Sequence, residues 1–156
     1  MRQIEFSQQH NKRVPEPRVP FHHSVDLQTR FNDADMLGHL NNTVYLSFMD
    51  LGKTRYFTDV MGGDIDWRHI DIVVVHIECD YFAPAFLDEP LAVATTVLRV
   101  GEHSFTLEQR IYNTATGQVK CVGTTVMAGF DPATGTSLPI NPEWTAAVSA
   151  YEQRQL

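Results

Sequence analysis

The sequence predicts an α+β fold, an antiparallel five-stranded sheet wrapped around one long central helix. The first observation is a segment from Thr43 to Met61 that is apolar around nearly its whole circumference. Val44, Tyr45, Leu46, Phe48, Met49, Leu51, Tyr56, Phe57, Val60 and Met61 leave it no polar face, and such a helix is buried on most sides. The second is a set of strand-like runs at 73–81, 90–100, 104–113 and 118–130, the first with strict alternation of Val73, Val75, Ile77, Cys79 and Tyr81 against Val74, His76, Glu78 and Asp80. The third is the turn chemistry after these runs: Gly101, Asn113 with Gly117, and Asp131-Pro132 with Gly135. These fit hairpins, and consecutive hairpins build antiparallel sheets.

Each element is justified in chain order. Residues 1–23 are polar and carry Pro15, Pro17 and Pro20, which reads as an arm, extended where proline fixes φ. His22 and His23 are expected to be exposed beside it. From Ser24, the alternation of Val25, Leu27 and Thr29 with Asp26, Gln28 and Arg30 reads as the first strand. The polar stretch Asn32 to Asn42 then leads to the helix, whose start is marked by asparagine, a good N-cap, and whose stop is Gly62-Gly63. After the four strands, Asn141 as cap and Pro142 in the first helical position predict a C-terminal helix to Arg154. The division is an arm at 1–23, a sheet-and-helix domain at 24–140 and a terminal helix segment at 141–156.

Composition narrows the function. At 156 residues the chain is one ordinary domain that needs no metal or disulfide staple. Nineteen acids against 12 Lys and Arg give a net charge of −7, which argues against nucleic acid as a partner. No apolar run approaches the roughly 20 residues that span a bilayer, and the N-terminus lacks the apolar core of a secretory signal. Two cysteines, Cys79 and Cys121, fit a reducing compartment, so a cytoplasmic location is expected. A five-stranded sheet covers only part of an all-round apolar helix, so a homo-oligomer is expected.

The densest polar cluster is Arg30, Asn32, Asp33, Asp35, His39, Asn41 and Asn42, between the first strand and the helix. A helix start offers unpaired N–H groups and about half a unit of positive charge, a natural site for a developing oxyanion. A nearby carboxylate supplies a base or nucleophile. Together they equip a protein for acyl transfer at a carbonyl. The residues also admit a local reading, with Asp33 and Asn32 in an Asx turn and Asn41 or Asn42 as plain caps.

The segment TRFNDADMLGHLNNTVYLSFMDLGKTRYF resembles the signature of hotdog-fold acyl-CoA thioesterases of the 4-hydroxybenzoyl-CoA thioesterase type. Their pattern is an Arg-terminated strand followed by D-x-D-x-x-G-H-x-N-N-x-x-Y. Here that pattern is met by Arg30, Asp33, Asp35, Gly38, His39, Asn41, Asn42 and Tyr45. Downstream, Asp80-Tyr81, Pro84, Asp88, Leu91 and Phe130-Asp131 are also similar, so the likeness runs over about residues 24–131. It implies a hotdog fold and an acyl-CoA thioesterase that releases free acid and CoA.

By that resemblance Asp35 is the catalytic carboxylate, as general base or nucleophile, and the backbone N–H near Asn42 forms the oxyanion hole. His39, Asn41 and Tyr45 are candidate substrate contacts. Asp33 is expected to shape the turn and Gly38 to supply an unusual backbone angle. Where relatives often carry Glu and Arg on the helix, this chain has Asp50 and Lys53. Another hotdog branch places its acid about two turns into the helix, which makes Asp50 the second-choice catalytic acid.

The implied partners are an acyl-CoA or acyl-carrier-protein thioester and further copies of the chain, as a homodimer or homotetramer with the site at the subunit interface. No metal or cofactor is expected, and neither nucleic acid nor a membrane. Two alternatives are weighed: a hotdog enoyl-thioester hydratase or dehydratase, for which Asp35 and His39 would pair, and a non-catalytic acyl-CoA-binding domain. The hydratase reading lacks the proline that usually precedes its histidine.

Overall fold

A computed structural model describes residues 1–7, 11–63 and 65–156. Residues 8–10 of the expected arm lie outside the described set. The order of elements is β1 (His23–Leu27), α1 (Asn42–Val60), β2 (Ile72–Tyr81), β3 (Leu91–Val100), β4 (Ser104–Asn113), β5 (Val119–Asp131), β6 (Thr136–Leu138) and α2 (Pro142–Glu152). The sheet runs β1-β3-β4-β5-β2, all neighbours antiparallel, with β6 pairing the end of β5. The expected β–helix–four-strand order is present, and β6 adds a short sixth strand.

The differences from expectation have local causes. The first strand ends at Leu27 rather than continuing through Thr29, whose hydroxyl turns away to donate to the Leu87 carbonyl. β2 does not pair with β3, which follows it, but crosses the sheet to pair with β5 along nearly its whole length. The Asp131–Gly135 turn leads back into β6, which takes over the free side of β5 from Gly129 onward. Helix α1 starts one residue earlier than expected and stops at Val60, with Gly62 and Gly63 both at positive φ just beyond.

α1 lies on one face of the sheet. Its N-terminal half packs Tyr45, Phe48 and Met49 against Leu91, Val93 and Ile111. The C-terminal half packs Tyr56 and Phe57 against Val97, Phe105 and Leu107, together with Val148 and Trp144 of α2. Close seating depends on Gly52, where an added Cβ would fall 2.9 Å from both Val93 Cγ1 and Gln109 Nε2. Fully buried Gln109 donates from that nitrogen to the Met49 carbonyl at 2.8 Å and to Thr95 Oγ1 at 3.1 Å, tying sheet to helix. The helix is nevertheless not covered all round, for Leu46, Leu51 and Met61 remain exposed.

The opposite sheet face is covered by the N-terminal segment. Val14 and Phe21 are buried there against Ala92, Ala94, Tyr112 and Val122, with Ile4 and Phe6 beside them. Beneath them the Arg110 guanidinium is fully buried, 5.2 and 5.5 Å from the Phe6 and Phe21 ring centres and paired with Glu108 at 2.8 Å. A short polar-looking segment thus supplies the apolar cover that a sheet with one helical layer lacks. The expectation of exposed histidines is corrected at His23, which is buried in β1. Its ring stacks edge-on to Tyr56, and Nε2 meets Asp59 Oδ2 at 3.1 Å. Burial lowers its pKa below the ordinary 6.5, a shift that Asp59 opposes.

Among the described residues no helix is long and apolar enough to cross a membrane. Cys79 and Cys121, on neighbouring strands, are unlinked, with their Sγ atoms 2.9 Å apart.

Candidate active site at the start of the central helix

The loop from Arg30 to Asn41 is built by its own polar groups. Asp33 is buried and closes a short 3₁₀ turn (Phe31–Asp33), accepting the Arg30 backbone N–H at 2.8 Å and the Arg30 guanidinium at 3.1 Å. Burial opposes its ionisation, but these Arg30 bonds outweigh burial and hold the carboxyl below the ordinary carboxylate range. Asp33 therefore shapes the turn, as its sequence position suggests. Its own carbonyl accepts the Asn41 N–H at 2.8 Å, which fixes where the helix begins.

Asp35 sits in the tip of this loop, half-exposed. Its backbone N–H donates to the His39 carbonyl at 2.8 Å, and its carbonyl accepts from Gly38 at 3.0 Å. Gly38 has φ +78°, the left-handed angle that lets the loop return. Asp35 Oδ1 accepts the Leu37 N–H at 2.8 Å, which orients the carboxylate. His39 is held by its backbone in the same turn, and its ring packs edge-on to Phe86 with 5.3 Å between centres.

Asn41 is the N-cap of α1, its Oδ1 accepting from Thr43 N at 2.9 Å and Thr43 Oγ1 at 2.8 Å. That side chain is occupied as a cap. Asn42 is the first helical residue and exposed, and among the described residues no hydrogen bond takes its N–H. From β2, the Tyr81 hydroxyl donates to the Asn42 carbonyl at 3.0 Å, and the Tyr81 ring stacks edge-on to buried Tyr45 at 5.1 Å. Burial pushes the Tyr45 hydroxyl up to about 12, so it stays a neutral group. Just beneath, a hydrogen bond from Cys121 draws the Cys79 thiol down to about 7.

Asp35, His39, Asn42, Tyr45 and Tyr81 line one open pocket of about 450 Å³, together with Phe82, Ala83 and Pro84. The structure thus brings together four sequence candidates, Asp35, His39, Asn42 and Tyr45, with Asn41 immediately behind. In the sequence Tyr81 stands out only as part of the downstream match, and its role in the pocket wall depends on the β2–β5 pairing. Asp50 is not in this pocket. It lies farther along α1, exposed and paired with the buried Lys53 ammonium at 2.7 Å, and lines a separate hollow with Thr54, Phe57, Trp67 and Ile70. Among the described residues no three His, Cys, Asp or Glu side chains gather as a metal-binding group.

Comparison with known proteins bears on the family and the fold. The family model described as the thioesterase-like superfamily matches residues 29–148. No curated protein sequence is similar enough to count as a match. Among solved structures, a thioesterase from Thermus thermophilus, complexed with coenzyme A and Zn, is 30% identical with a TM-score of 0.76, over 85% of this chain and 96% of that one. A 1,4-dihydroxy-2-naphthoyl-CoA thioesterase from Synechocystis is 19% identical with a TM-score of 0.72, over 80% and 93%. A mutant 4-hydroxybenzoyl-CoA thioesterase complexed with 4-hydroxybenzoyl-CoA is 16% identical with a TM-score of 0.73, over 81% and 98%. The last two share the fold, a sheet curled around a central helix in the hotdog manner.

Proposed function

Because the chain belongs to the thioesterase-like superfamily, thioester hydrolysis is its activity, and we propose that Asp35 and the Asn42 N–H carry it out on an acyl-CoA or acyl-carrier-protein thioester. One observation carries this reading: Asp35 and Asn42, the first residue of α1, line a single open pocket. In the proposed reaction the thioester carbonyl oxygen accepts from the Asn42 N–H. The partial positive charge of the helix start then stabilises the negative charge that develops there. Asp35 attacks the carbonyl carbon itself or takes a proton from an attacking water. The tetrahedral intermediate collapses by expelling thiolate, and thiols with pKa near 8.5 leave without a strong acid, so the step calls for neither metal nor cofactor. Where Asp35 itself attacks, a water then hydrolyses the mixed anhydride on Asp35, which releases the free acid and restores the carboxylate. His39 and Tyr45 act as substrate contacts in the walls.

The structure of α1 and β2 supports a second part of the proposal, a homodimer. β2 is an edge strand of 10 residues, and Val73, Val74, Val75 and Ile77 are all exposed on it. A long apolar edge invites pairing, and a second copy of the same strand, run antiparallel about a two-fold axis, satisfies its backbone. The exposed Leu46, Leu51 and Met61 give a second copy further apolar surface to bury. A cytoplasmic setting suits the two free thiols.

The test is thiol release from a panel of acyl-CoAs by the parent and by Asp35→Asn. The reading predicts turnover on at least one class, reduced at least about a hundredfold in kcat by Asp35→Asn. Formation of hydroxyacyl-CoA without free thiol would instead identify a hydratase, and tight acyl-CoA binding with no product a binding domain.

A further inference from the structure

Two sulfurs beneath the pocket take no part in the hydrolysis proposed above. Cys79 of β2 and Cys121 of β5 lie on adjacent strands, one diagonal step apart, because Cys79 faces Gly123 and Cys121 faces Tyr81 across the ladder. Both pack on the α1 side of the sheet, with Tyr45, Met49 and Ile111. Gly123 sets no side chain opposite Cys79, and the two Sγ atoms approach to 2.9 Å. A disulfide is about 2.05 Å long, so closing one here asks for a movement of about 1 Å.

The two thiols are not equivalent. Cys121 is fully buried, whereas Cys79 is half-buried and two residues from Tyr81 in the pocket wall. Residues two apart on a strand share a face, so backbone pairing along the edge of β2 does not consume the Cys79 side chain. The hydrogen bond from Cys121 draws Cys79 down to about 7, while that same bond and burial push Cys121 up. At neutral pH Cys79 is the sulfur with thiolate character, and the thiolate is the nucleophile.

We propose that Cys79 and Cys121 form a redox modification site, at which hydrogen peroxide closes a reversible disulfide between β2 and β5. Cys79 attacks one peroxide oxygen and the O–O bond breaks. Hydroxide leaves and is protonated to water, and Cys79 becomes a sulfenic acid. The Cys121 sulfur then attacks the Cys79 sulfur. The S–S bond forms, the S–O bond breaks, and the departing hydroxide takes the Cys121 proton as a second water. Each sulfur gives up one electron, and the peroxide takes up both. A dithiol reductant reverses the closure by exchange. One consequence rests on the reading of Asn42 given above. The Tyr81 hydroxyl, two residues beyond Cys79, holds the Asn42 carbonyl at 3.0 Å. A misplacement of about 1 Å can cost about a hundredfold in rate, so the disulfide form is the slower enzyme.

The experiment treats the reduced, full-length protein with hydrogen peroxide, removes the peroxide, and maps the cysteines by mass spectrometry. In the parent both thiols should disappear together into a linked Cys79–Cys121 peptide that dithiothreitol reopens. Cys121→Ala should stop at a Cys79 sulfenic acid that dimedone traps. In Cys79→Ser, Cys121 should oxidise at least about tenfold more slowly than the parent's thiols do. Thermal melts establish that both variants are folded. The kcat, followed by loss of thioester absorbance so that protein thiols do not contribute, should fall at least about fivefold in the oxidised parent and recover with dithiothreitol. Cys79→Ser should keep its kcat through the same treatment. Thiols that persist in the parent, links between chains, or over-oxidation of Cys79 with Cys121 still free would overturn the modification site. A disulfide that forms with kcat unchanged would overturn its link to Asn42. The cysteine map decides the site even in a parent that hydrolyses nothing, so failure of the hydrolase reading is seen separately.

Discussion

The two ends of α1 are built on opposite principles. At its start, backbone and side-chain hydrogen bonds do the positioning. Asp33 closes one turn, Asp35 another, Asn41 caps the helix, and the result is a polar loop beside an open pocket. At its end, aromatic packing takes over: Tyr56 and Phe57 are buried, Phe57 packs on Phe105 and Trp144, and Tyr56 on Tyr151. A strong polar contact there is sealed inside, with the Tyr56 hydroxyl donating to Glu152 Oε1 at 2.6 Å. Burial raises the Tyr56 pKa well above its ordinary value and the Glu152 charge adds to this, so the tyrosine is a permanent donor. The contrast teaches that a helix can be anchored at one end and leave the other free for chemistry.

If that division holds, damage at the two ends should have different signatures. The largest expected effect on stability is at the sealed end. Tyr56→Phe strips a buried carboxylate of its best donor and should cost about 1.5–3 kcal/mol in denaturant unfolding, with kcat per folded molecule little changed. A comparable loss of kcat would show that the two ends are coupled.

An intermediate effect is expected from acid. His23, close to the sealed end, has a lowered pKa, so the fold favours its neutral form. That contribution is complete above the unfolded value near 6.5 and is lost as pH falls through the lower folded value. Asp33, at the open end, also has a lowered pKa, so its contribution is complete above its unfolded value of 3.8 and is lost at still lower pH. Melting temperature should thus decline in two stages on acidification. His23→Gln should remove the first and Asp33→Asn the second. A single stage that survives both substitutions would contradict these assignments.

Much of this contrast was legible in the sequence, for reasons that differ by element. The helix and the four long strands announce themselves by periodicity, and the N-caps Asn41 and Asn141 by residue type. The turn role of Asp33 follows from its residue type, beside Asn32 in a stretch where Asx turns form. What local pattern could not convey is which distant segments meet. β2 pairs with β5 across some 40 residues, and only that pairing brings Tyr81 over Asn42. The burial of His23 depends on Tyr56 and Asp59, and the covering of the outer sheet face on Phe6 and Phe21 around Arg110. A cavity at the helix end draws on α1, β4, α2 and the 65–72 loop, none of which signals it alone.

The smallest structural change gives the most direct test, because Asp33 and Asp35 are neighbours in one loop with separate tasks. Asp33→Asn and Asp35→Asn should be compared for kcat in thiol release and for unfolding free energy under identical conditions. Asp33→Asn should lose about 1 kcal/mol of stability, as turn and cap residues do, and keep kcat within about threefold. Asp35→Asn should melt close to the parent and lose at least about a hundredfold in kcat. Full activity in Asp35→Asn, or the large kcat loss appearing in Asp33→Asn instead, would contradict the assignment of Asp35 as the carboxylate that cleaves the thioester.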